Sequence, residues 1–303
     1  MFSLTANAQQ LQFNKASDAS TVTMNYQWLD QQQQPQQLTF SLDKQAINAS
    51  QQSQTEYKPQ VVQRYIYVEL MKQAQQINPK EARIKIVQRG DRLEFKITSR
   101  SAQMRQKWLE TMTETQGTAF QQYLSDNHYI EFTDHMGQTG ILPDHLRYIE
   151  ENKAQVLVVA QALYSQLEKG SNTKEFINHL LSWVQSIPYD RLEGRIDNNG
   201  AGFFSPLKVL VNNRGDCDSK AVLTAAVIRS LLPNLGMAIV YLPNHALLAV
   251  DLGKRTDGRD IEILGNAHVL IEPTGPALLS IGDVSDETAR QIAIGNYMSV
   301  VIP

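Results

Sequence analysis

The sequence predicts an α+β protein built in two parts, and three observations carry that expectation. Short runs of β-forming residues with period-two alternation lie between longer stretches whose apolar residues recur at helical spacing. The length, 303 residues, exceeds the usual content of one domain, about 150 residues. Glutamine is partitioned: 26 of the 31 glutamines lie in residues 1–150 and none lies between 186 and 290. The two halves therefore differ in surface chemistry. The expected boundary divides a glutamine-rich α+β domain of unknown role, 1–142, from a second domain, 143–303.

In the first half, Thr21 to Leu29 and Gln37 to Leu42 alternate and suggest a hairpin. The glutamine tract from Gln31 to Gln37, broken by Pro35, reads as its solvated loop. Val61 to Ile77 carries Val62, Tyr65, Leu70 and Ala74 at helical spacing. Ala82 to Val87 and Leu93 to Ile97 flank Arg89-Gly90-Asp91, a turn sequence, and predict a second hairpin. Ser101 to Leu124 reads as a helix. The order ββα-ββα hints at an internal duplication, without matching residues to support it. Nothing in this half looks catalytic.

The second half opens with a predicted helix from Asp144 to Leu167. Asn172-Thr173 caps another that runs to Ile187 and is stopped by Pro188. Arg191 to Gly202 is a polar, glycine-bearing loop. Ser205-Pro206 starts a short helix, with serine as N-cap and proline in the first turn. Asn213 to Gly215 is a turn, and Cys217 to Leu232 is an apolar helix. Strand-like runs follow at Met237 to Leu242, Ala246 to Leu252, Ile261 to Leu264, His268 to Glu272 and Tyr297 to Ile302.

Composition removes several classes of function. Lys+Arg 28 against Asp+Glu 31 gives net −3, which argues against a nucleic-acid partner held by a broadly basic surface. No apolar run is long enough to span a membrane. A single cysteine excludes disulfide scaffolds and thiolate zinc sites. The spread of His128, His135 and His145 fits no metal motif, and the acids near Asp260 and Asp283 lack calcium-loop spacing. No cofactor and no metal is expected. Ala6-Asn7-Ala8 before Gln9-Gln10 resembles the small-x-small end of a secretory signal peptide. That predicts a periplasmic or secreted protein; a cytoplasmic one stays open.

Three residues attract chemistry. Gly215-Asp216-Cys217 sets the thiol at a helix N-terminus, where unpaired amides and the helix dipole favour a thiolate and offer oxyanion donors. Asp216 and Asp218 pull the other way. His245 begins a strand, where it can meet a helix N-terminus, and Glu272 ends one, where it can orient an imidazole. Each also has a bland reading: a buried core cysteine, a surface histidine, an exposed strand-end acid. Their order and near-equal spacing make them worth combining.

The stretch GFFSPLKVLVNNRGDCDSKAVLTAAVIRSL, then NHALLAV, then IEPTGP followed by IGDVSDE, resembles the transglutaminase-like superfamily, nearest its bacterial and archaeal cysteine proteases. WVQSIPYD upstream is similar too, and the resemblance spans about residues 150–303. Glutamate at 272 departs from the superfamily's commoner aspartate. The resemblance implies a papain-like core in which a nucleophile helix packs on an antiparallel sheet. It implies Cys217 as nucleophile, His245 as acid–base and Glu272 as its orienter, acting as a thiol-dependent hydrolase or acyl transferase on protein or peptide amides. Gln185, by its place in WVQSIPYD, is the expected side-chain oxyanion donor, with Tyr189 second. The alternative is a catalytically silent module that serves as a protein-binding or cell-envelope scaffold, with partner contacts through the N-terminal domain. His268, Arg195 and Asp197 have no more than supporting roles in either reading.

Overall fold

The computed structural model describes residues 9–53, 56–90, 92–133, 136–192, 202–253 and 259–303. The chain divides into two compact units. The first comprises residues 1–54, 133–140 and 144–303, and the second residues 55–132 and 141–143. Packing thus divides the chain differently from composition. The first 54 residues, expected to belong with 55–142, fold with the second half instead.

Strands β1 (Gln10–Ser17), β2 (Thr21–Leu29) and β3 (Pro35–Asp43) form an antiparallel sheet in that order. Pro35 is the first residue of an edge strand, where no ladder donor is missed. Met24, Tyr26 and Trp28 of β2 and Leu38, Phe40 and Leu42 of β3 alternate inward and are buried. What they cover lies far along the chain. The Trp28 indole N–H donates to Ser182 Oγ at 3.0 Å, and the Tyr26 hydroxyl donates to the Leu210 carbonyl at 3.1 Å. Tyr26 also meets the Trp183 ring edge-on at 5.4 Å. The predicted hairpin is therefore part of a three-stranded sheet committed to the second half, and the suggested duplication has no structural counterpart. Helix α1 (Lys44–Ser53) follows directly.

The second unit holds α2 (Pro59–Gln75), the hairpin of β4 (Arg83–Arg89) and β5 (Arg92–Thr98), and α3 (Ala102–Asp126). These elements match the expected ones within a few residues. Val62, Ile66 and Leu70 of α2, Met112 and Leu124 of α3, and Leu93 of β5 share a small core of their own. A short ribbon of β6 (Tyr129–Thr133) and β7 (Thr139–Pro143) comes next.

The rest of the first unit is built on α4 (His145–Tyr164), α5 (Thr173–Ser186), α6 (Pro206–Asn212) and α7 (Cys217–Leu231). Local chemistry starts each one. Asp144 caps α4, and Asn172 with Glu175 closes a capping box on α5. Pro206 opens α6, and Asp216 caps α7. A five-stranded antiparallel sheet follows, ordered β10 (Asp260–Ile263), β11 (Asn266–Ile271), β9 (His245–Val250), β8 (Met237–Leu242), β12 (Met298–Ile302). Both of its faces are covered. Ile239, Leu248, Val250 and Ile271 join the core that contains α7. Ala238, Val240, Leu247 and Leu270 pack on the other side with Ile292 of α8 (Asp286–Ala293). Two-sided burial explains why MAIVYL and HALLAV run apolar without alternation. Helix α7 is buried from Ser219 to Arg229, with Lys220, Thr224 and Arg229 taken inside along with its apolar residues. No described helix is long and apolar enough to cross a membrane.

Candidate functional site

The turn into α7 is held tightly. Asn213 adopts left-handed geometry (φ 50°), which asparagine tolerates, and closes α6. Gly215 bridges to Tyr189; its N–H donates to the Pro188 carbonyl at 3.3 Å, and its carbonyl accepts from the Asp190 N–H at 3.1 Å. A Cβ on Gly215 would sit 3.2 Å from both Ser219 and Val209. The Asp216 side chain accepts from the Ser219 N–H at 2.9 Å and from its hydroxyl. That cap starts the helix so that Cys217 is its first residue, and α7 packs on β9.

Cys217 is half-buried, and the backbone amide of Ala246, the residue after His245, favours its thiolate. Its thiol donates to Asp218 Oδ1 at 3.4 Å. His245 and Glu272 are brought together as expected. The imidazole Nε2–H donates to Glu272 Oε2 at 2.6 Å. Glu272 Oε1 accepts from the Thr274 N–H at 2.9 Å, so the carboxylate is fixed at both oxygens. Its side chain is 4% exposed and that of His245 25% exposed. Nδ1 is the ring nitrogen that Glu272 leaves unused.

The electrostatics are less uniform than a plain triad. Burial pushes the Cys217 thiol up, with the charges of Asp218 and Asp216 adding to it and the Ala246 amide opposing. The neutral thiol is therefore the resting form. For His245, burial acts downward. The Glu272 hydrogen bond and charge, with Asp218, outweigh it, and the imidazole titrates above its ordinary value. Burial and the Asp218 charge push the Asp216 carboxyl up to about 7.

The expected oxyanion donor must be corrected. Gln185 is 1% exposed, and its amide donates both protons to backbone, to the Glu272 carbonyl at 2.7 Å and the Leu279 carbonyl at 2.9 Å. Its oxygen accepts from the Leu279 N–H at 3.2 Å. No donor is left for a substrate, because the glutamine is spent stapling the segment after Glu272. That segment also approaches too closely for any side chain at Gly275, whose Cβ would lie 2.1 Å from the Gln185 carbonyl oxygen. Tyr189 is the second expected donor. It lies beside Gly215, is 47% exposed, and after burial the Cys217 charge is the chief influence raising its hydroxyl. His268 is buried and bonds the Asn266 carbonyl at the far end of β11 from Glu272. Arg195 and Asp197 lie outside the described residues.

Three further groups went unrecognised in the sequence. Lys220, one turn after Asp216, is fully buried and donates to the Ile187 carbonyl. Burial pushes it down to about 7, while Glu272 and Asp216 hold it up. Its i+4 spacing from Asp216 was the available signal. His145 bonds Tyr241 through Nδ1 at 2.7 Å and is itself buried, with Nε2 unpartnered. Burial lowers it, and Asp218 is the leading opposing charge. Beside His245 and Glu272 opens a cleft of about 400 Å³, with Asn244, Thr274, Thr288 and Gln291 on its wall. No family model, curated protein or solved structure matches this chain.

Proposed function

We propose that the chain is a thiol-dependent hydrolase or acyl transferase acting on protein or peptide amides, on a papain- or transglutaminase-like core, outside the cytoplasm. One observation carries the reading: Glu272 Oε2 holds His245 Nε2 at 2.6 Å, at the start of the strand against which the Cys217 helix packs. That pairing supports a reading with a nucleophile at a helix start, a base at a strand start and its orienter at a strand end.

In this mechanism His245 Nδ1 takes the thiol proton as the sulfur attacks the amide carbon. Glu272 stabilises the imidazolium that forms. The Cys217 N–H, a first-turn amide of α7, receives the oxyanion together with the Tyr189 hydroxyl. His245 then returns the proton to the departing amine, leaving a thioester. Water or a second amine, deprotonated by His245, cleaves that thioester and restores the thiol. Because the thiol rests neutral, proton transfer accompanies attack and no ion pair needs to pre-exist.

The test is acylation by p-nitrophenyl acetate. One equivalent of p-nitrophenolate per chain is expected as a burst, absent in Cys217→Ser and slowed about 10²–10⁴-fold in His245→Ala. No burst, or a burst that survives Cys217→Ser, overturns the reading. A silent scaffold is the second reading. The observation that favours it is that burial, with the charges of Asp218 and Asp216 added, holds the thiol protonated.

A further inference from the structure

A net charge of −3 over the chain conceals a concentrated basic face in the second unit. On β4 and β5, Ile84, Ile86, Leu93, Phe95 and Ile97 turn to that unit's core. Arg83, Lys85, Arg89, Arg92 and Lys96 alternate with them and are exposed. The register places Lys85 directly opposite Lys96, and Arg89 directly opposite Arg92. Like charges facing across an antiparallel pair are destabilising. Glu94 is the one acid on this face among the described residues, and its 3.2 Å pairing with Arg89 answers only one of the five cations. The ribbon has two strands only, so no neighbouring strand brings compensating charge. A local rule broken twice in one hairpin, with a single ion pair to offset it, marks a surface kept for something else.

We infer that the outer face of the β4–β5 hairpin is a docking surface for a membrane rich in anionic phospholipid. The chemistry of the face favours this partner over nucleic acid. It presents no aromatic side chain on which a base could stack. It presents no side-chain amide to read a base edge: Gln88 lies on the opposite face with Ile84 and Ile86, hydrogen-bonded to Gln63 Oε1 at 2.9 Å. What remains is plain charge in two parallel rows. Lipids diffuse laterally, so anionic headgroups gather beneath the Lys85–Lys96 and Arg89–Arg92 pairs and relieve their repulsion. A duplex, whose phosphates are fixed, does not adapt in this way. The face carries no strongly exposed large apolar side chain, so nothing inserts into the hydrocarbon. Attachment is peripheral, reversible and screened by salt.

The experiment sediments the full chain with phosphatidylcholine vesicles prepared with and without phosphatidylglycerol, at low and high salt. Binding is expected only with phosphatidylglycerol and only at low salt. Lys85→Glu changes the face by two charges and, at about five-fold in partitioning per charge, lowers binding about 25-fold. The same change turns a repulsive cross-strand pair into an attractive one, so the thermal midpoint holds or rises. Arg92→Gln is expected to lower binding about five-fold, again without loss of stability. Equal binding to both vesicle types, or unchanged binding of both variants, overturns the inference. Displacement of the protein from vesicles by duplex DNA at equal phosphate overturns it in favour of a nucleic-acid surface.

Discussion

Glu272→Gln isolates the charge of Glu272 from its position. Glutamine keeps the shape, and its oxygen can still accept from His245 Nε2–H, so what is lost is the negative charge 2.6 Å from the imidazole. A hydrogen bond to a charged group contributes about 1.5–3 kcal/mol, or about 1–2 pH units in the titration of the ring. Burial then acts on His245 with less opposition, so the ring should titrate about 1–2 units lower than in the parent, below its ordinary value. The same coupling appears in stability. The folded value of His245 lies above its unfolded one, so the stabilisation is fully present below the unfolded value, about 6.5, and is lost as pH rises through the folded value. Parent and variant should therefore differ by about 1.5–3 kcal/mol near pH 6 and converge at alkaline pH. The ring is followed by NMR of its Cε1 proton, assigned with His245→Asn, and stability by urea melts across the pH range. An unchanged or raised titration of the ring in Glu272→Gln would refute the argument, as would a stability difference that grows with pH.

Trp28→Ala should cost about 3–5 kcal/mol and, in urea melts, lower the transition that reports residues 144–303, because Trp28 is bonded to Ser182. Lys220 is fully buried, and its folded value of about 7 lies below the ordinary 10.5. The unfolded chain binds more protons between those values, so stability rises with pH across that window. Lys220→Met should flatten that rise and be more stable than the parent near pH 7; a steeper rise would show that the lysine is held charged by partners. Gly275→Ala drives a methyl group into the Gln185 carbonyl and must move the segment after Glu272. His245 Nε2 should then lose the far-downfield N–H resonance expected of a 2.6 Å hydrogen bond to a carboxylate; retention of that resonance counts against the proposed coupling.

Much of this architecture is written locally. The Asn172–Glu175 capping box, Ser205-Pro206 and Asp216 announce three helix starts to the residue, because capping is a contest among neighbours and needs no distant partner. The strands MAIVYL and HALLAV were legible from β-formers and turn residues, and the order of Cys217, His245 and Glu272 from the ends of those elements. Elements with weaker local signals escaped. β1 is mostly polar, with six of its eight residues exposed, so no alternation marks it. Helix α8 offered Ser285 followed by Asp286 and Glu287, an N-terminal signature that is convincing only once Ile292 is seen packed on the sheet. Tertiary structure decided the rest. Met24, Tyr26 and Trp28 declare a buried face but not what buries it, and their partners lie more than 150 residues away. Gln185 looks like a donor in sequence; the carbonyls that consume it belong to a segment about 90 residues further on. Asp216 and Asp218 beside the thiol were visible from the start. That the thiol is pushed up there is owed to burial first and to those charges second, and burial exists only in the folded chain.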